Sequence, residues 1–282
     1  MVQTMTPSER TKAFNKARTA QLKALLKNKQ GLWDSLLRLL ELAEENTQTI
    51  LQGQPTDWQQ WHYGKLQGQI NQVMFELGER SAAQIKAFSQ TTWVAGINLI
   101  DAPLKAGGVT VNAMTQLLQH RQLVAIDNFM VDRIKDVLSG KADYIRSQLG
   151  LVMMGAQDSE TAKKAIAESL GEKKMWRAKA IVNTELSRLY NTASHMRMNE
   201  IGDAVPGMEK EWRLGRRKEH RVSHLAANKT RAAANEPFTI GGIKMMHPHD
   251  PKAPAKETVN CSCFTVPVMK HWEVDPNLTV KT

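Results

Sequence analysis

Cysteine is nearly missing from this chain: 282 residues hold two, Cys261 and Cys263. Two thiols separated by one residue cannot build a disulfide framework, and the chain reads as one made in a reducing cytoplasm. No apolar run approaches the roughly 20 residues that span a bilayer, so no membrane segment is expected. The opening residues, MVQTMTPSERTKAF, have no apolar core behind their charges and do not read as a secretory signal. A Gly-rich phosphate loop is missing too: Gly241 and Gly242 are followed by Ile-Lys-Met, not by a helix start. No internal repeat is evident.

What is present fits a soluble folded chain, with 41% hydrophobic and 23% charged residues. The length suits one large domain or two ordinary ones. The net charge of +10 favours a polyanionic partner, which means nucleic acid or an acidic protein surface.

Hydrophobic spacing predicts helices over most of the first 200 residues. Residues 7–50 carry Phe14, Leu22, Leu25, Leu36 and Leu40 at helical intervals, with Ser8 as the expected cap and Gly31 as a candidate break. GQPTDW offers a turn, with Thr56 or Asp57 as the next cap, and a second helix is expected from Trp58 to about Ser89. DAPLKAGGVT, residues 101–110, reads as a break. Helix resumes near Val111 and stops at Gly155. A short helix follows, capped by Asp158 or Ser159 and stopped by Gly171, and another runs from about Lys173 to Ile201. After Ile201 the texture changes: seven of the ten prolines and the β-like runs PFTIGGI and ETVNCSCFTVPV lie there. The expected fold is mainly α, a long helical N-terminal region followed by a small loop-rich α+β module.

Three segments carry candidate chemistry. If residues 259–266 form a strand, Cys261 and Cys263 share one face roughly 6–7 Å apart, a spacing that strains a disulfide. Two thiolates and two imidazoles are zinc ligand types, and the candidates are Cys261, Cys263, His224 and either His247 or His249. The favoured alternative is packing of the thiols as small hydrophobes, because zinc patterns space their cysteines by two or more residues. No catalytic residue is expected, since nothing orders a base against either thiol. The second segment, residues 211–231, holds Arg213, Arg216, Arg217, Lys218 and Arg221, a set suited to phosphate contact or to a solvated face. Trp212 beside it reads as a core anchor. In the third, AIVNTELSRLYNTA, Thr184, Arg188 and Asn191 share one helical face and Glu185 pairs with Arg188 at i,i+3. The choice there is a buried polar network or, slightly favoured, a surface ion pair.

In this order, IVNTELSRLYNTA, EWRLGRRKEHRVSHLAA, EPFTIGG and PHDPKAPAKETVNCSC resemble the phage head morphogenesis family typified by the F protein of phage Mu and the minor head protein of Bacillus phage SPP1. Thr184-Glu185 and Asn260-Cys261-x-Cys263 are its most specific parts. The chain departs from the family at Arg217-Lys218, where an acidic pair is common, and at Ser262, where Arg is common. The resemblance covers about residues 125–268, so the expected organisation is a helical region 1–124, the head-morphogenesis module 125–268 and a tail 269–282 with no further toxin or nuclease domain. It implies a virion protein of the tailed-phage head, made in the host cytoplasm and located in the head interior or near the portal. Its partners would be the portal protein, other head proteins and packaged double-stranded DNA, with no membrane in the assembled head. It would be a minor head protein of assembly, DNA packaging or ejection, not an enzyme. It has no implied cofactor beyond the open question of zinc. The rival expectations are a nucleic-acid-binding module, and a nuclease-like enzyme using His220 or His224 with Arg216, Arg217 and Glu219.

Overall fold

A computed structural model describes residues 5–53, 60–111, 117–171, 175–273 and 279–280. It is mainly α with a small C-terminal module of short antiparallel strands, as the sequence pattern predicts. Helix α1, Pro7–Gln52, runs without interruption through Gly31. Its cap is Thr6, not Ser8: the Thr6 hydroxyl accepts from the Glu9 N–H at 3.3 Å, and the Glu9 carboxylate accepts from the Thr6 N–H at 2.8 Å. This reciprocal box, with Pro7 at the first helical position, is the TPSE signal in the sequence. Helix α2, Gln60–Ala106, runs past the expected end near Ser89, contains Pro103 in its last turn and stops inside the expected break at 101–110. The chain leaves the helix at Gly107, whose N–H still bonds the Pro103 carbonyl at 2.9 Å. The expected cap at Thr56 or Asp57 lies outside the described residues.

After β1, Thr110–Val111, come α3, Leu117–Met153, α4, Ser159–Leu170, and α5, Trp176–Ile201. Asp158 caps α4 by accepting from the Thr161 N–H at 2.8 Å, and Gly171 ends it, as expected. A single 3-10 turn, Gly202–Ala204, leads into the module: β2, Met208–Arg213; α6, Val222–Ala227; β3, Arg231–Ala233; β4, Phe238–Ile240; β5, Ile243–Met245; α7, Ala255–Thr258; and β6, Phe264–Met269. Strand β2 lies between β3 and β6, antiparallel to both. β4 and β5 form a hairpin around Gly241-Gly242. Pro267 is tolerated in β6 because that strand pairs on one side only. The expected tail is not free at its end: β7, Thr279–Val280, pairs in parallel with β1.

The chain forms two compact units, each assembled from separate stretches of the sequence. One comprises residues 30–87 and 127–182, an all-helical unit with buried Trp33, Leu36, Ile70, Leu77, Ile134 and Ile166. The other comprises 1–29, 88–126 and 183–282. Helices of 37 to 47 residues are too long for a boundary set by sequence order, and α1, α2 and α3 each contribute to both units.

Among its described residues the second unit has two apolar cores. Phe14, Leu99, Ile100, Tyr190, Met198 and Ile201 belong to one; Trp212, Phe238, Ile240, Met245, Cys261 and Cys263 belong to the other. In the first, α2 and α5 approach backbone to side chain at Gly96. A Cβ there would meet the Tyr190 carbonyl oxygen at 2.6 Å and the Ala193 Cβ at 2.8 Å. Gly96→Ala gains about 1 kcal/mol of helix propensity but must push two helices apart in a packed core, which costs about 1–3 kcal/mol. Urea unfolding is expected to show a net loss of stability for Gly96→Ala, and a gain of up to about 1 kcal/mol for Gly64→Ala, where a Cβ on the same helix meets open space.

Candidate metal centre

Helix α5 is the base on which the site is built. Residues 184–187 and 189–194 are all buried, so the helix has no solvent face there. Its Tyr190 enters the apolar core, while Thr184, Arg188 and Asn191 turn toward the C-terminal module. The Thr184 hydroxyl accepts from the Asn260 N–H at 3.1 Å. The Arg188 Nε donates to the His249 carbonyl at 3.3 Å, and its Nη1 reaches Glu185 at 2.6 Å. The Asn191 Oδ1 accepts from the Thr265 N–H at 3.2 Å, and its Nδ2 faces the Cys263 carbonyl and His249 Nδ1, each at 3.4 Å. The single face predicted for these residues is therefore real. The surface ion pair is not: Glu185 is 4% exposed, and the group is the buried network.

Asn260 sits at φ 56°, in the left-handed region that asparagine tolerates better than most residues. This turn sends Cys261 and Cys263 inward, at 5% and 1% exposure. They are not in a strand. Residues 255–258 are helical and β6 starts at Phe264, so the pair lies on the irregular segment between. The loop before α6 packs over them: a Cβ on Gly215 would fall on the Ser262 carbonyl and within 2.8 Å of the Ser262 Cβ. The glycine of LGRRK is there for that close approach.

Both sulfurs converge on one imidazole nitrogen. His224 Nδ1 lies 3.5 Å from Cys261 Sγ and 3.4 Å from Cys263 Sγ. The three potential ligand atoms are all within 4.8 Å of one another, and among the described residues no other such group exists. A tetrahedral ion with Zn–S near 2.3 Å and Zn–N near 2.0–2.1 Å has an N···S edge of about 3.5 Å. The donor set therefore fits one metal ion in both type and spacing. Nδ1 has one lone pair, so two thiols cannot both use it well, whereas a shared cation accounts for both approaches.

The surroundings favour sulfur in its anionic form. His224 Nε2 lies 2.9 Å from Glu257 Oε2, the carboxylate–histidine pairing that orients a ligating ring. The Cys263 N–H donates to Cys261 Sγ at 3.3 Å. The Trp212 indole, fully buried and edge-on to His224, has no hydrogen-bond partner at Nε1 but is close enough to favour the Cys263 anion, as does the Gly215 N–H. One proton leaves the pair readily: the hydrogen bond from Cys263 drives the Cys261 thiol down and, for the same reason, drives Cys263 up. Burial opposes charge on His224, but Cys261 and Glu257 outweigh it and raise its pKa. Lys29 on α1 couples to this cluster. Burial pushes its ammonium down to about 8, and Cys261 counteracts the fall.

The structure places the other predicted residues as follows. His249 lies against the site but does not complete it. Its Nε2 contacts the Cys261 carbonyl at 3.0 Å and its Nδ1 faces Asn191, so both nitrogens are engaged. His247 is not in the cluster, contrary to its expected role as a ligand. Its Nδ1 is engaged by the Pro248 carbonyl at 2.9 Å, and its ring packs on His195 with centroids 5.1 Å apart. Trp212 is the expected core anchor. Of the five cations, Arg213 pairs with Glu211, Arg217 donates to the Asn260 carbonyl and Arg221 to the Val259 carbonyl at 2.8 Å. Arg216 and Lys218 are exposed. Sequence reasoning missed Gly215 and Glu257. Gly215 left a trace as a lone glycine in a basic run. Glu257 left none.

Two outcomes follow. Gly215→Ala should lower stability by about 1–3 kcal/mol, the range for overpacking, because the obstacle is backbone rather than a flexible side chain. The His195–His247 pair sets an acid limit. Burial, then His247 and Lys210, push His195 down to about 3. Between pH 6.5 and that value the unfolded chain binds a proton that the folded chain refuses, so stability falls as pH falls. Urea titrations from pH 7 to 4.5 should show a shallower loss for His195→Gln than for the parent chain. The chain matches no protein-family model, no curated protein and no solved structure.

Proposed function

We propose that this chain is a minor head protein of a tailed bacteriophage that acts by assembly beside the portal, with His224, Cys261 and Cys263 forming a structural zinc clip. One observation carries this reading. The residues on which the resemblance rests are scattered from 184 to 263, and they meet in a single buried knot: Thr184, Arg188 and Asn191 with Asn260, Cys263 and His249, next to Trp212 and His224. A motif whose members bond one another, with little solvent access, is suited to holding segments together rather than to turning over a substrate. Cys261, His224 and Glu257 do line up as thiol, imidazole and carboxylate, but at 5%, 1% and 8% exposure they offer no face to a substrate.

Zinc would be held by the two sulfurs and His224 Nδ1, with Glu257 fixing the ring. It would supply a cross-link between α6 and the cysteine segment and cancel the thiolate charge. Any DNA contact rests on the exposed Arg216, Arg217 and Lys218, with Arg221 half-buried beside them and Arg213 paired with Glu211.

Co-expression with the portal protein of the same phage, nuclease treatment and size exclusion test the assembly reading. The expected result is co-elution without nucleic acid and about one zinc per chain, lost in His224→Ala. Elution of the chain alone, or only with nucleic acid, overturns the portal role. A metal-free peak with alkylatable cysteines overturns the clip.

A further inference from the structure

The module presents three large apolar side chains to solvent in one place. Val222 is 82% exposed, Leu225 52% and Val259 44%. Val222 and Leu225 are one turn apart on α6 and lie opposite its buried residues, His224 and Ala227. Val259 lies on the segment tied to the start of α6 by the bond from Arg221 to its carbonyl and by the contacts of Ser223 and His224 with Glu257. Exposed valines and leucines that occur singly need no explanation, but a cluster ringed by charge marks a contact surface.

The ring is cationic. Arg216, Arg217, Lys218 and Lys256 are exposed and Arg221 is half-buried; Glu219 is the exposed acid among them, since Glu257 is buried against His224. Arg217 and Arg221 are each held by a hydrogen bond to a backbone carbonyl, which fixes the guanidinium while leaving donors open. A carboxylate meeting a prepositioned guanidinium gains a charge-assisted bond at little entropic cost.

We infer that the Val222–Leu225–Val259 knuckle and its basic rim form a docking surface for an acidic segment of a partner protein, one that seats apolar side chains on the knuckle and carboxylates on the rim. Duplex DNA would satisfy the rim but would leave the most prominent group, Val222, against charged backbone. The surface stands on the module's own geometry, whether or not the partner is a portal protein.

The test uses the full chain and a short synthetic amphipathic peptide with leucines on one face and glutamates on the other. Companion probes replace the glutamates with lysine or the leucines with serine, and a random-sequence DNA duplex serves as competitor. Fluorescence anisotropy at low salt should show binding of the acidic peptide only. The double variant Val222→Ser with Leu225→Ser, and separately Arg216→Ser with Lys218→Ser, should each weaken it by about tenfold, equivalent to losing one good interface contact. All of these side chains are exposed, so thermal unfolding of the variants should match the parent chain. Equal binding of the acidic and basic peptides, no binding of the acidic one, indifference to the Val222 and Leu225 changes, or tighter duplex binding that displaces the peptide would each overturn the inference.

Discussion

The side-chain amide of Asn191 ties helix α5 to the cysteine segment of the module. Asn191 is fully buried, anchors its Nδ2 on the Ser187 carbonyl at 2.8 Å, accepts the first interior N–H of β6 and faces both the Cys263 carbonyl and the His249 ring. An amide inserted between a helix and two loops must have its polar atoms satisfied, because an unpaired buried donor or acceptor costs about 1–3 kcal/mol. That demand fixes the height of the cysteine segment on α5. Once the segment is seated, Asn260 reaches Thr184, the chain turns through a left-handed residue, and both sulfurs face inward.

The His224–Cys261–Cys263 cluster and the exposed Val222 and Leu225 belong to the two sides of one short helix and its attachments. Helix α6 is six residues long and cannot be stable by itself. It is held from within by His224, bonded to Glu257 and facing the sulfurs, and from its N-terminal side by Arg221 on the Val259 carbonyl. Those attachments leave Val222 and Leu225 no interior to enter. The basic run therefore has a double use: part of its charge braces the cysteine loop, and part projects around exposed apolar groups.

The mainly helical class, the change of texture after Ile201, the Asp158 cap and the one-sided polar face of α5 were legible because they depend on neighbours within a turn or two. Helix ends were less so. Local rules read Gly31 as a break, yet α1 continues, since tertiary packing of a long helix outweighs one glycine; the break read at 101–110 is present, but α2 carries past Pro103 and stops only at Ala106. TPSE offers two hydroxyls to the start of α1, and the reciprocal box with Glu9 selects Thr6 over Ser8.

The sequence by itself determined the cysteine pair, the supply of histidines, the helical face of Thr184, Arg188 and Asn191, and the positive charge. Tertiary structure alone decided that His224 meets the sulfurs while His247 turns to His195, that Glu257 backs the ring, and that Gly215 closes over Ser262. The physical reason is separation along the chain. His224 lies 37 and 39 residues from the cysteines and 33 from Glu257, with a hairpin and a short helix between them. Periodicity reports which face a residue occupies, but not which distant face the intervening turns bring against it.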